Sequence, residues 1–492
     1  MRRSRILITP NEPKPTIMKT LLKRTGLASL TAACLAAPVL RAEITSWEPL
    51  APVTPLNASP TKSIMASPQL ITLTSGSTEK LYAAWAEQGG ASSWTNQIRI
   101  AVYQDKIPGV APRWEPIDYR VNGTTRGPTL GINYDPLAAA WFPQLVVHNG
   151  SLHATWYEDV PAKAGTISRI RVSRYNGDDN SPNWTFIDGN TAGGLNLNAS
   201  ENAIQPVAAS YGSQLVVTGA ETATISRKAR AQQVRVRAYN GSQWTWLDSG
   251  SVAGLNVDPN KSAQPARPVV VNVNAQPKLY VSFREPSSTG ISRLRAKVHQ
   301  GGSSWKVVDP GSGLNLNANR QVTSQFSGGD GASIFCVWSE LNNAGVEQIR
   351  ASRYDGSNDN APIWQRLDGA NPDQGLNYRN PLAYARPRAV QSFNGKIYVH
   401  WREEWQEAGI SQSTCRVAVW DQALPAQNQW PWAWADGGGN RSNVEFNAPT
   451  SYTNSLTFGV YKNYLLLFNQ ELFPHSQPAL GYVLVGMEAP AP

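Results

Sequence analysis

Cysteine is scarce, with three in 492 residues. That excludes a disulfide framework and any zinc-type cysteine spacing. Cys336 lies in the apolar run IFCVW and reads as an inert buried thiol, while its pairing with Cys415 stays open. Histidine is nearly as rare, at five. There is no His-Glu-x-x-His motif, no Gly-x-Ser-x-Gly elbow and no phosphate loop, so no metal or other cofactor is expected. Charged residues make up 16% of the chain. No apolar run reaches the ~20 residues that a membrane-spanning helix needs, so stable membrane insertion is not expected.

The net charge of +9 is local. Residues 1–42 carry eight Lys or Arg and one acid, Glu12, leaving 36 basic and 34 acidic residues elsewhere. A near-neutral body lacks the basic footprint of a nucleic-acid binder. Lys19, Lys23 and Arg24 precede LASLTAACLAAPVL, which ends at Leu40-Arg41-Ala42. Residues 1–42 therefore read as a secretory signal, with Met18 a plausible start, and the mature chain as secreted or periplasmic. Thr31-Ala32-Ala33-Cys34 is a poor lipobox, which weakens a lipid-anchored alternative.

What the chain has in plenty is glycine (39), proline (35) and tryptophan (18), and it repeats itself. GLNLNAS (194–200), GLNVDPN (254–260), GLNLNAN (313–319) and GLNYRNP (375–381) share one string, with a weaker copy, GINYDP, at 131–136. A second string is a strand ending in Glu, at Glu87, Glu158, Glu221, Glu285, Glu340, Glu403 and Glu471, spaced 55 to 71 residues apart. All but the last are followed by an Arg-bearing strand, and in the first five units a turn that is often Asn-Gly or Asp-Gly, a Trp-led strand (Trp114, Trp184, Trp244, Trp305, Trp364) and the Gly-Leu-Asn loop or its weaker copy come next. A fixed period of this size marks a repeat architecture.

Each unit thus holds four strands: A opens it, B ends in Glu, C bears Arg and D starts near Trp. Four-stranded sheets around an axis make a β-propeller, typically of 4–8 blades. The expectation is an all-β, seven-bladed propeller of antiparallel sheets over residues 43–492. The seventh unit lacks a Trp-led strand, and Trp47-Glu48-Pro49-Leu50 matches Trp114-Glu115-Pro116-Ile117. The mature N-terminal strand should therefore complete the last blade and remove the exposed edges.

Ser357-Asn-Asp359-Asn-Ala361-Pro-Ile-Trp364 resembles the Asp-box of sialidase-like propellers, as does Asp178-Asp179 through Trp184 less closely. The repeat as a whole is similar to the Trp/Leu-Asn repeats of secreted bacterial surface proteins. The Glu/Arg ring, with Trp85, Trp156, Trp338 and Trp401, resembles the per-blade sets of fungal fucose lectins. That resemblance implies a non-catalytic recognition module for glycans or envelope proteins, and this is the leading expectation. The alternative is a glycan-cleaving enzyme, a sialidase-like hydrolase or a polysaccharide lyase, at the channel mouth. There, one-of-a-kind residues gather: Trp141 in blade two, Arg267 in blade four, and Tyr384, Arg386, Arg388, His400, Trp401 and Glu403 in blade six. Arginines beside aromatics suit an acidic sugar, because guanidinium pairs bidentately with carboxylate or sulfate. No catalytic residue is assigned. The Asn/Asp loops vary too much in acidity to be calcium loops.

Overall fold

The computed structural model describes residues 44–50, 55–89, 95–105, 109–127, 129–162, 165–226, 229–369, 371–378, 383–407, 410–421, 432–436, 452–472 and 478–488. These form strands and connecting loops, and no helix among them is long and apolar enough to cross a membrane. The proposed signal, and His475, lie outside the described residues.

The strands make seven sheets arranged as a propeller. Blade one runs A Ile64–Ser75, B Thr78–Gly89, C Thr95–Gln104 and D Arg113–Pro116. Blade two runs A Ala139–His148, B Ser151–Ala162, C Gly165–Tyr175 and D Trp184–Phe186, with a small hairpin (Arg120–Val121, Thr124–Thr125) added outside D. Blades three, four, five and six open with strands A at Ala203–Tyr211, Gln264–Val273, Val322–Gly329 and Tyr384–Phe393, followed by B, C and D in order. Blade seven has Tyr452–Tyr461, Tyr464–Leu472 and Leu480–Glu488, and its fourth strand is Ile44–Pro49 from the other end of the chain. That strand pairs antiparallel with Leu480–Glu488, setting Trp47 opposite Gly486. The expected closure is present, and each strand A packs beside the next around the full ring.

The recurring residues hold neighbouring blades together. Trp184, Trp244, Trp305, Trp364 and Trp432 each donate the indole N–H to a carbonyl of the preceding blade, at Ile117, Ile187, Leu247, Val308 and Leu367. Trp47 does the same to Ala435 of blade six at 2.8 Å, which joins the two ends of the chain into the same series. Two of the box-like turns also bridge blades. Asp179 of blade two accepts from Tyr175 and from Lys80 of blade one. Asp359 of blade five accepts from Tyr354 and from Lys278 and Tyr280 of blade four.

The Gly-Leu-Asn string is the loop from strand D of one blade to strand A of the next. Its glycine crosses strand C so closely that a Cβ on Gly194 would stand 2.4 Å from the Ile170 carbonyl, at φ +59. Its leucine is core: Leu195, Leu255, Leu314 and Leu376 are all buried. Its asparagine is a three-way staple. Asn256 accepts from Val234 N–H (2.9 Å) and donates to the carbonyls of Gln232 (2.9 Å) and Lys261 (2.6 Å). Asn133, Asn196, Asn315 and Asn377 repeat the pattern. So does Asn57, in a sixth copy, Pro55-Leu56-Asn57, where proline replaces glycine.

Asn256→Ala leaves one backbone N–H and two carbonyls unpaired in a buried loop, and should cost about 2–4 kcal/mol of unfolding free energy in urea titrations. His153 is buried, and burial lowers its pKa from 6.5 to about 4. The unfolded chain takes up this proton at a higher pH than the folded one. The neutral ring's contribution is therefore intact above pH 6.5 and is lost as pH falls toward 4, by at most about 3 kcal/mol. Thermal melts should show a falling midpoint over that window, and a shallower fall in His153→Phe.

Candidate functional site

The Glu ring is satisfied inside the protein. Glu221 accepts from the backbone N–H groups of Leu197 (2.8 Å) and Asn198 (2.7 Å), the two residues after the loop asparagine. Glu285 and Glu340 grip Val257–Asp258 and Leu316–Asn317 in the same way, and Glu87 grips Ala58–Ser59. Where strand B carries Trp two residues earlier, its indole N–H reaches the same carboxyl, as Trp338 does to Glu340 at 3.0 Å. All seven Glu are buried. Burial pushes the Glu158 carboxyl up to about 7, although Arg171 beside it favours the charge.

The Arg ring is equally occupied, by partners the sequence reading passed over. Arg99, Arg171, Arg235, Arg295, Arg350 and Arg416 pair with Asp118, Asp188, Asp248, Asp309, Asp368 and Asp436, at 2.5–3.5 Å. Each Asp stands four residues after the strand-D Trp, so the signal was Trp-x-x-x-Asp, repeated six times. Arg171 and Arg416 also lie 3.7 Å from Glu158 and Glu403.

Unrepeated residues gather instead at the hub. Every strand A carries a register irregularity near its start, such as Ala66/Gln69 in blade one, Trp141/Gln144 in blade two and Pro387/Ala389 in blade six. A bulge turns one extra side chain out of the alternation. Phe142, Gln205 and Arg388 fall at these places, and Phe142 and Gln205 both have φ +53. They line a cavity of about 450 Å³ among the inner strands, within the range of small-ligand sites. Arg267, Arg284 and Arg388 line it, with a girdle of glutamines at 69, 144, 205, 325 and 391 and the rings of Phe142 and Phe326.

Among the described residues, no Asp or Glu lines this cavity. Among the described residues, Arg267, Arg284 and Arg388 have no carboxylate within ion-pair distance, and the Nε–H of each is buried without a partner. Arg284 gives one N–H to the Thr323 carbonyl at 2.5 Å, and Arg267 lies over the Phe326 ring at 4.2 Å. Burial lowers the pKa of all three, that of Arg267 to about 10. Three unpaired guanidiniums in one hollow are costly in the empty protein and favourable to an anion.

Of the residues expected at the site, Arg267 and Arg388 line the cavity. Arg386 and Tyr384, at the start of strand A, are not among its lining residues, Tyr384 being 47% exposed and Arg386 bonding Glu347 at 2.8 Å. Trp141 is half-buried in blade two, its indole N–H on Asp159 at 3.0 Å. His400, Trp401 and Glu403 are buried and do not line the cavity. His400 faces the Phe458 ring and is kept neutral by burial and by Arg388. Trp401 donates to Glu403 at 3.1 Å, inside the ring just described. Arg284 and the glutamine girdle were missed, because single polar residues on strands carry no motif.

No protein-family model matches the sequence, and no curated protein does. Solved structures do resemble the chain. A Trypanosoma rangeli sialidase in complex with the inhibitor DANA aligns over 77% of this chain and 57% of its own, at 9% identity and a TM-score of 0.40. A Penicillium chrysogenum α-L-arabinanase complexed with arabinobiose aligns over 71% and 93%, at 15% and 0.39. A thermostable family-43 glycoside hydrolase aligns over 58% and 94%, at 14% and 0.32. The chain thus covers little more than half of the sialidase's length.

The reading as a non-catalytic recognition module is corrected here. It rested on a Glu/Arg/Trp set offered blade by blade to a ligand. Those carboxyls and guanidiniums are buried and spent on backbone and Asp partners, so no blade offers them to a ligand.

Arg267→Met removes a confined, unpaired cation while keeping most of its packing on Phe326. It should leave the ligand-free protein's stability unchanged or raise it by about 1–2 kcal/mol. A loss above about 1 kcal/mol in urea titration would show that Arg267 is held for the fold.

Proposed function

We propose that the protein is an enzyme that cleaves an acidic glycan at the mouth of the propeller channel. The observation that carries this reading is the set of three guanidiniums, Arg267, Arg284 and Arg388, in one hub cavity that no carboxylate lines among the described residues. They would hold a carboxylate or sulfate of the substrate by charge-assisted hydrogen bonds. The glutamines beside them offer both donors and acceptors to sugar hydroxyls.

The rim supplies acid–base groups. Arg386 is bonded to Glu347 and interacts with Glu404, and Glu404 pairs with Arg402 at 3.0 Å. Glycoside hydrolysis uses two carboxyl groups, one as acid and the other as nucleophile or base. Glu347 and Glu404, flanking the Arg386 guanidinium, are the candidates for that pair. The same cavity would also serve a lyase, since neutralising a uronate carboxylate acidifies the adjacent C–H. The reaction products separate the two reactions.

The test is turnover on sialylated, uronate-bearing and sulfated oligosaccharides, with reducing-end and unsaturated-uronate assays run side by side. Arg267→Ala and Arg388→Ala should each lower kcat/KM about 10- to 100-fold with the melting temperature retained. Reducing ends without unsaturated product identify the hydrolase. Binding without turnover on every acidic glycan contradicts the proposal.

A further inference from the structure

We propose that Trp141, Phe142 and Tyr157 of blade two form a stacking subsite for an uncharged sugar ring, so that the ligand is an acidic oligosaccharide and not a single acidic sugar. The inference rests on the reading of the hub as an acidic-glycan site and extends it to the length of the substrate.

Phe142 is an aromatic residue with φ +53, in the left-handed region that bulky side chains avoid. It sits in the blade-two irregularity, where Trp141 pairs with Tyr157 and Gln144 with Thr155, so that Phe142 and Pro143 stand opposite the single residue Trp156. Such strain persists where the surroundings over-determine it, and it concentrates at functional sites. The corresponding irregularities of blades three and six carry Gln205 and Arg388, so the aromatic belongs to this blade.

Phe142 belongs to none of the hydrophobic clusters that join the blades and lines the hub cavity instead. Its ring stacks on Tyr157 with centroids 6.0 Å apart and planes 17° from parallel. All three aromatic side chains are half-buried, so each has surface left for a ligand. Trp141 is fixed by its indole bond to Asp159, and Asp159 in turn by the Ser168 hydroxyl at 2.6 Å. The Phe142 ring opens into the same hollow as Arg267 and Arg388, and with Tyr157 stacked on it and Trp141 next to it in the strand it suits the C–H face of a sugar whose neighbour carries the charge.

The experiment compares Phe142→Gly with the wild type, by calorimetric binding of a uronic acid monosaccharide and of a trisaccharide containing the same uronate. Glycine accepts the positive φ, so the variant should melt no lower than wild type. Wild type should bind the trisaccharide more tightly than the monosaccharide. Phe142→Gly should lose about three- to tenfold of trisaccharide affinity and keep monosaccharide affinity within twofold. Equal binding of both sugars by wild type, or unchanged trisaccharide affinity in Phe142→Gly, overturns the inference while leaving the acidic-glycan reading standing. Failure of wild type to bind either sugar overturns both.

Discussion

A chain that leaves the outer strand of one blade and enters the inner strand of the next must bury a loop, and a buried loop must pair its backbone polar groups. In this protein two side chains meet that demand. The loop asparagine bonds strand C of the blade behind it and the loop's own end, while the glutamate of the blade ahead receives the next two N–H groups. Each loop is thus tied to both blades it joins. The indole bonds of the strand-D tryptophans add a second tie at the rim, and Trp47 extends that series across the two ends of the chain. The ring follows from these contacts as much as from sheet twist.

One consequence is a division of labour. A residue repeated in every blade is consumed by the problem that every blade shares. That accounts for the buried Glu, the Arg–Asp pairs and the leucines. Chemistry that occurs once must come from positions the fold leaves free, and here these are the irregular starts of the inner strands. Those positions differ from blade to blade, with a strained Phe in blade two and an arginine in blade six. The same places that break sheet alternation also aim side chains at the axis. Guanidiniums without a carboxylate partner gather at the hub beside two residues of positive φ, Phe142 and Gln205, and an anionic ligand would pair that charge.

Much of the fold was legible in the sequence because the period is long and its punctuation strong. Seven Glu-ending strands and the displaced Trp47 strand set the blade number and the closure. The site was legible only in part. Arg267 and Arg388 stand out because no other blade has an arginine at the matching place. Trp401, Glu403 and His400 were drawn in by sitting in one polar run, although strand alternation and blade packing bury all three. The Asp partners were overlooked because an Asp at a strand end reads as solvated until a buried Arg is seen beside it. The inner-strand irregularities left no local signal, since an extra residue in a sheet is set by what packs on both sides.

The central claim is that the repeated residues make the structure and the unrepeated ones at the hub bind the ligand. A crystal structure of the protein soaked with a uronate-bearing oligosaccharide tests it most directly. The account predicts one ligand on the axis, its carboxylate among Arg267, Arg284 and Arg388. Ligand density recurring at the Glu-bearing loops of several blades, with the hub empty, would contradict it.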